Sequence, residues 1–302
     1  MTTIGFIGLG RMGANMSARL VEHVAKEDGR LLVYDLSQEA VQSLVAKGAT
    51  AVGSAKELGD ACDVVFMSLP TPPIVREAVL GEGGVGSGSR VKIIVDLSTS
   101  GPQLAQELHE ALSARNIASI DAPVSGGIKG AHEGTLAIMA SGPEAQYDAV
   151  QPLLARMGRP FYMGEVPGAG QVMKLVNNLL SIGAIAITAE GMAVGIKAGL
   201  DPAKMIEVLN SGTGANSATR DKWPRSVLPR TFDFGFAAAL SLKDTKLLLD
   251  EAEAMGVPLQ IGEIVRTYLE RTLADYGAEA DFTAMAKVVE ADAGLDPDRS
   301  SA

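Results

Sequence analysis

The chain has 302 residues, enough for about two domains at roughly 150 residues each. Lys and Arg number 26 against 36 Asp and Glu, a net charge of −10. This argues against a nucleic-acid groove, because phosphate binding needs a basic stripe, but it does not exclude a small anionic substrate. Hydrophobic residues make up 47% and charged residues 21%, the balance of a globular protein rather than a disordered one. One cysteine, Cys62, excludes an intrachain disulfide framework and a cysteine-based zinc site, and His23, His109 and His132 are too scattered for a local metal motif. No metal is expected.

The N-terminal run MTTIGFIGLG has no basic region before it and ends in a glycine loop, unlike an export signal. The longest uncharged stretch, from Leu175 to Ala189, falls short of the roughly 18 residues a membrane span needs. A cytoplasmic, reducing location is expected.

In chain order, Ile4 to Leu9, Leu31 to Asp35, Asp63 to Leu69, Val91 to Leu97 and Ile117 to Asp121 are expected to be strands. They are rich in Val and Ile and nearly continuous, as buried parallel strands are. Helical patterns at Met12 to Lys26, Gln38 to Lys47 and Pro102 to Arg115 separate them, which implies βαβ units. The glycine cluster from Gly81 to Gly88 lacks the Lys-Ser/Thr of a P-loop and is expected to be a flexible surface connection. Two more strands, at Leu136 to Ser141 and Pro160 to Met163, flank a helix at Glu144 to Met157.

From about Gly168 no convincing strand follows. Gln171 to Ala198 is one long helical pattern, apolar on nearly all sides, as in a large core or between subunits. Asp201-Pro202 restarts a helix, and Leu240 to Met255, Leu259 to Ala274 and Phe282 to Ala293 continue the helical region. The tail LDPDRSSA is expected to fray. The expected architecture is α/β: a Rossmann-type, doubly wound, mainly parallel sheet over 1–165, then an all-helical domain over 166–302 opened by one long interdomain helix.

Gly8-Leu9-Gly10-Arg11-Met12-Gly13 is G-x-G-x-x-G placed directly after a strand and opening a helix, the context in which this spacing has meaning. Gly8 permits the tight turn, Gly10 lets the backbone approach a pyrophosphate, and Gly13 lets helix and strand pack closely. The helix N-terminus offers N–H groups and partial positive charge to the phosphates. Asp35 follows Gly13 by 22 residues, where an acid accepts hydrogen bonds from the adenosine ribose and repels a 2′-phosphate. NAD is therefore the expected cofactor. The competing role for Asp35 is a helix cap, which Ser37 could fill instead.

Lys174 and Asn178 lie four residues apart, on one face of the long helix. A lysine on an apolar helix suits proton transfer, because burial lowers an ammonium pKa. A structural lysine, snorkelling or ion-paired, is the commoner case on chemistry alone. Asp121-Ala122-Pro123-Val124-Ser125-Gly126-Gly127 offers a hydroxyl and backbone N–H groups that can hold a carboxylate, or it is a plain turn.

Together GFIGLGRMGANM, DAPVSGG, GAGQVMKLVNN and LSLKDTKLLLDEA resemble the signatures of the β-hydroxyacid dehydrogenase family, from Ile4 to about Ala293. That family includes 3-hydroxyisobutyrate dehydrogenases and tartronate semialdehyde reductases, with a C-terminal domain like that of 6-phosphogluconate dehydrogenase. The resemblance implies that Lys174 is the general acid/base and that Asn178 anchors the substrate. It implies that Ser125, Gly126 and Gly127 bind the substrate carboxylate, and that Leu69, Pro70, Ile74 and Thr99 line the cofactor cleft. Phe236 and Lys243 would close over the cofactor, and the long helix would support a homodimer or homotetramer.

The departure from the family is at 211–217. 3-Hydroxyisobutyrate enzymes carry an Arg-Cys-Trp-type sequence there, and this chain has Ser211-Gly212-Thr213-Gly214-Ala215-Asn216-Ser217. A small polar wall replaces a bulky apolar one, which leaves the identity of the acid open. Asn216, Arg220 and Lys222 are candidates to meet a second functional group. The expected activity is hydride transfer between NAD and a small β-hydroxy carboxylate. The alternatives on the same scaffold are an imine reductase, which usually lacks a lysine at position 174, and a non-catalytic NAD-binding protein.

Overall fold

The computed structural model describes residues 3–27 and 29–298. The chain divides into two compact units, Met1–Lys174 and Leu175–Ala302.

In the first unit, β1 (Thr3–Ile7), β2 (Arg30–Tyr34), β3 (Thr50–Ala51), β4 (Val64–Met67), β5 (Ile93–Asp96) and β6 (Ala118–Asp121) form one sheet in the order β3-β2-β1-β4-β5-β6. Every pairing in it is parallel. Alternate residues feed two apolar layers. Phe6, Val33, Phe66 and Val95 enter one, and Leu32, Val65 and Ile94 enter the other. A strand buried on both faces has no polar side to show, which is why these strands read as unbroken apolar runs.

Helices α1 (Gly13–Val24) and α2 (Gln38–Val45) bring Met16, Leu20, Val41 and Leu44 to the first layer. Helices α3 (Ala55–Ala61), α4 (Pro72–Leu80) and α5 (Pro102–Ser113) bring Leu58, Val75, Val79, Leu108 and Leu112 to the second. Their starts are written locally. The hydroxyls of Ser37 and Ser54 accept from the backbone N–H groups of Ala40 and Glu57, and Pro72 and Pro102 occupy first helical positions.

A second sheet follows, in the order β7-β8-β9. Strand β7 (Val124–Ser125) is antiparallel to β8 (Leu136–Ala140), and β9 (Gly158–Tyr162) is parallel to β8. Helices α6 (Gly127–Glu133) and α7 (Glu144–Leu154) complete this part. The two-residue strands β3 and β7 and the short helices α3, α4 and α6 are absent from the sequence reading. Each is too short to show a period.

The expectation for Gly81 to Gly88 is corrected. The segment contains a 3₁₀ turn, Val85–Ser87, with Val85 and Gly86 buried. A Cβ at Gly59 would lie 2.3 Å from the Val85 carbonyl oxygen. At Gly84, Gly86 and Gly88 a Cβ would lie 2.7, 2.8 and 2.1 Å from a backbone atom, so these glycines serve close packing, while Gly83 has no heavy atom within 4 Å of a Cβ position.

Helix α8 (Ala169–Lys197) begins in the first unit and continues through the second. By length and composition alone it could cross a membrane. The uncharged stretch from 175 to 189 understates it, because Lys174 and Glu190 lie within the same helix.

The second unit continues with α9 (Pro202–Ser211), a π-helix (Ala218–Val227), α10 (Ala238–Ala254), α11 (Gln260–Tyr276), a 3₁₀ turn (Phe282–Ala284) and α12 (Met285–Asp292). No strand occurs among its described residues. Its core gathers Ile182, Ile185 and Met192 of α8 with Trp223, Val265, Leu269, Phe282 and Met285. The other side of α8 exposes Leu180, Ile187 and Val194, at 69%, 64% and 72%. Of the tail, Asp298 pairs with Lys287, and Arg230 donates to the Pro297 carbonyl. This part is held rather than frayed, and residues 299–302 lie outside the described residues.

Candidate active site

In a parallel sheet every strand ends on the same edge, and that edge collects most of the chemistry anticipated for the first unit. The loop Gly8 to Gly13 leaves β1, Asp35 follows β2, and Leu69 and Pro70 follow β4. Thr99 follows β5, and the segment from Asp121 to Gly127 leaves β6. Strands β1 and β4 are neighbours whose connections run to opposite sides, the point at which such sheets open a crevice.

The loop glycines have three distinct reasons. Gly8 has φ +88°, and a Cβ there would lie 2.3 Å from the Ser68 carbonyl oxygen. A Cβ at Gly13 would lie 1.9 Å from the Gly8 carbonyl oxygen, so α1 could not pack against the turn. Above Gly10 there is no heavy atom within 4 Å of a Cβ position, so the backbone is open to a ligand. This cradle at a helix N-terminus fits a dinucleotide pyrophosphate.

The Asp35 carboxylate accepts from the Leu9 N–H at 2.5 Å and the Ser37 N–H at 2.7 Å, while the Ser37 hydroxyl caps α2. Asp35 therefore braces the glycine loop and leaves the capping of α2 to Ser37. Arg11, Pro70 and Ile74 are exposed, and Leu69, Thr99 and Met12 are half-buried. The Leu69 N–H donates to the Ser98 hydroxyl at 2.9 Å.

Ser125 lies on β7. Gly126, with φ +134°, and Gly127 open α6. Lys174 is on the second turn of α8 and 8% exposed. Below it a polar network, passed over by the sequence reading, joins the strand ends to the helix. Asp96 accepts from the Ser98 N–H at 2.9 Å and the Ser100 hydroxyl at 2.7 Å. The Gln171 side-chain oxygen Oε1 accepts from the Ser100 and Gly101 N–H groups at 3.1 and 3.2 Å, and its side-chain Nε2 donates to the Ser98 backbone carbonyl at 3.0 Å. The visible trace of this network is the matched pair Asp96 and Asp121, register partners that each close an apolar strand.

In the second unit, the buried Asn178 donates to Asp244 at 2.6 Å, and Lys243 lies 2.8 Å from the same carboxylate. Asp244 is a further residue the sequence reading passed over, although it adjoins Lys243. Phe236 meets Phe282 edge-on at 5.4 Å, and its N–H donates to Asp281 at 3.0 Å.

Of the residues considered for a second functional group, Asn216 is occupied locally. It accepts from the Ala218 and Thr219 N–H groups and donates to Thr188 and the Gly214 carbonyl. Arg220 is exposed. Lys222 is buried, donates to the Ser217 hydroxyl at 2.9 Å and lies 5.8 Å from the centre of the Phe234 ring. Burial pulls its ammonium down to about 8.

Comparison with known proteins agrees with this arrangement. Residues 3–166 match the NAD-binding domain of 6-phosphogluconate dehydrogenase, and residues 168–289 match the NAD-binding domain of NADP-dependent 3-hydroxyisobutyrate dehydrogenase. The chain is 36% identical over 293 residues to the 2-(hydroxymethyl)glutarate dehydrogenase of Eubacterium barkeri, covering 97% of this chain and 96% of that protein. It is 37% identical over 274 residues to the 3-hydroxyisobutyrate dehydrogenase of Pseudomonas aeruginosa, covering 88% and 90%. A Mycobacterium tuberculosis 3-hydroxyisobutyrate dehydrogenase solved with L-serine superposes with a TM-score of 0.86 at 33% identity, over 96% of this chain and 99% of that one. With both halves matched, and matched in order, the chain belongs to the β-hydroxyacid dehydrogenase family.

Proposed function

We infer that the chain is a nicotinamide-dependent hydroxyacid oxidoreductase. We propose that it acts on a small carboxylate bearing a β-hydroxyl, with the semialdehyde as the reverse substrate and NAD as the preferred cofactor. The observation that carries the reading is Lys174, a lysine 8% exposed on an apolar helix, one turn beyond the strand-end network.

In this reading the loop from Gly8 to Gly13 and the start of α1 hold the pyrophosphate, and Asp35 holds the ribose. A carboxylate has about four acceptor sites, and two of those on Asp35 are used by Leu9 and Ser37. Leu69, Pro70, Ile74 and Thr99 line the nicotinamide end, and Phe236 and Lys243 are further cofactor-binding candidates. The bound cofactor supplies the two-electron acceptor. Ser125, Gly126 and Gly127 hold the substrate carboxylate, and Asn178 is a further substrate-anchoring candidate. Lys174 takes the hydroxyl proton in oxidation and returns it in reduction, where an ammonium also stabilises charge developing on oxygen.

The related enzymes named for hydroxymethylglutarate and hydroxyisobutyrate support a small hydroxy acid as the substrate class, while the polar segment 211–217 favours an acid other than hydroxyisobutyrate. The same relatives disfavour an imine reductase or a non-catalytic NAD-binding protein.

We take residues 1–165 as the cofactor domain and 166–302 as the substrate and assembly domain. The exposed row Leu180, Ile187 and Val194, spaced by sevens along α8, supports a homodimer or homotetramer. The single, buried Cys62 supports a reducing, cytoplasmic location. Light scattering and cell fractionation check these two points.

The activity is tested by an NAD- and NADP-linked screen of 3-hydroxyisobutyrate, glycerate, serine, 4-hydroxybutyrate and threonate, with Lys174→Ala in parallel. NAD should give the higher kcat/KM. Lys174→Ala should lower kcat by roughly 10²–10⁴-fold with cofactor affinity unchanged, and Lys174→Arg should not restore it, because guanidinium keeps its proton. Near-full turnover by the alanine variant, or equal use of NADP, would refute the corresponding part of the reading.

A further inference from the structure

The first turn of α8 has no cap of its own. It is preceded by Pro167 and Gly168 and begins with Ala169 and Gly170, none of which carries a side-chain oxygen. An α-helix leaves its first N–H groups without internal partners, and buried ones must find acceptors elsewhere. Here the Ala169 N–H takes the Val166 carbonyl, and those of Gly168, Gly170 and Gln171 find acceptors on the strand ends. The Asp121 carboxylate accepts from the Gly168 N–H at 2.9 Å and the Gln171 N–H at 3.2 Å. The Ser141 hydroxyl accepts from the Gly170 N–H at 2.9 Å and donates to Asp121 at 2.7 Å. The backbones of Asp121 and Ser141 also pair with each other.

The approach is close. A Cβ at Gly170 would lie 2.1 Å from the Met139 carbonyl oxygen and 2.8 Å from the Asp121 carboxylate. Only a residue without a side chain lets the helix start sit this near the strand ends.

We propose that Asp121 is the positioning residue for Lys174, a cap supplied from β6 that sets the catalytic helix against the loop holding the substrate carboxylate. The inference rests on the reading of Lys174 as the proton carrier. Asp121 lies four residues before Ser125 in sequence and binds the helix three residues before Lys174. One side chain therefore ties together the loop that would grip the substrate and the helix that would move its proton. Displacement by a fraction of an ångström at the cap carries directly to Lys174, because a helix transmits a shift of its first turn to its second.

The charge itself does not serve the fold. Burial, helped by Asp96 on β5, pushes the Asp121 carboxyl up to about 6 against the three bonds that favour its ionised form. The groups that meet it are Asp96 and Ser141 from the neighbouring strand ends and, on α8, the backbone of Gly168 and Gln171. Lys174 is the charged side chain one turn further along that helix. Protonation converts one acceptor oxygen into a donor facing an N–H, so the cap loosens as pH falls through about 6.

The test uses Asp121→Asn in the full-length enzyme. The amide keeps the shape and one acceptor, but it turns an NH₂ toward a backbone N–H. The expected result is a 10- to 100-fold loss of kcat, with KM for the acid within threefold and the NAD dissociation constant within twofold. The acid limb of kcat near pH 6 should disappear. Ser141→Ala, which keeps Asp121 and removes one arm of the cap, should lose 3- to 10-fold in kcat and carries the test if the asparagine variant does not fold. A kcat within twofold of wild type with the acid limb intact, or a loss confined to KM or to cofactor binding, would overturn the proposal. Lys174→Ala in the same assay separates the two readings. If it loses turnover while Asp121→Asn does not, only the positioning role fails. If it keeps turnover, the assignment beneath it fails.

Discussion

The two units place chemistry by different means. In the first, position comes from backbone: a glycine turn, helix starts and strand ends, with side chains bracing them. Asp35 binds the N–H of Leu9, and Asp121 binds those of Gly168 and Gln171. In the second unit, position comes from paired side chains in an apolar surround. Asn178 binds Asp244, and Arg230 grips Glu290 through two parallel bonds of 2.9 and 2.8 Å. Backbone N–H groups recognise phosphate and carboxylate whatever else is attached. Side-chain pairs can be exchanged without moving the backbone, which would suit a unit that distinguishes substrates, the role proposed for the second.

The buried ions show the same contrast. Asp121 has several donors and is pushed up; Lys222 has one hydroxyl and a ring and is pulled down. Their effects on stability have opposite signs. The folded state holds the Asp121 proton longer than the unfolded chain does, so stability gained at low pH is lost as pH rises from about 4 to 6. Lys222 releases its proton earlier in the folded state, so stability is gained as pH rises from about 8 to 10.5.

The severest way to break the backbone half of this contrast is Gly13→Ala, whose Cβ would meet the Gly8 carbonyl oxygen at 1.9 Å. NAD affinity should fall by at least an order of magnitude by calorimetry, because helix and loop must separate. Wild-type affinity would show that the turn is not the cradle.

The side-chain half is broken by Glu290→Ala, which removes both carboxylate bonds from the half-buried Arg230 guanidinium and leaves it the Pro297 carbonyl and the Phe232 ring. Stability in urea should fall by about 3–5 kcal/mol. Replacing both partners with apolar residues should recover most of it, and a loss below about 1 kcal/mol would mean that solvent reaches the pair.

The smallest effect sharpens the contrast between the ions. Lys222→Met should stabilise the protein by about 1 kcal/mol at pH 7, with screening allowed for. It should also abolish the gain in stability between pH 8 and 10.5. A variant that keeps that gain would place its origin in another group.

Much of this was legible in sequence. The apolar strands, the glycine spacing and the acid at the end of β2 are local patterns with one physical reading each. The long helices of the second unit announce themselves by period. Lys174 was less legible, because a lysine on an apolar helix is usually structural, and the resemblance carried the assignment. Asp121 and Asp244 were visible as letters but not as roles, since nothing near them in sequence names Gly168 or Asn178 as partners.

The sequence by itself determined the alternation of strand and helix, the place of the glycine loop, and the helical character of residues after about 168. Each follows from propensity and periodicity within a few turns of chain. Only the tertiary structure decided that α8 is capped from β6 and β8, that Gln171 ties Ser98, Ser100 and Gly101 to its first turn, and that Asn216 is spent on its own helix start. These are contacts between groups many residues apart. Hydrogen-bond demand at a helix end is written in the sequence, but the acceptor that meets it is chosen by which strand ends the fold brings within about 3 Å.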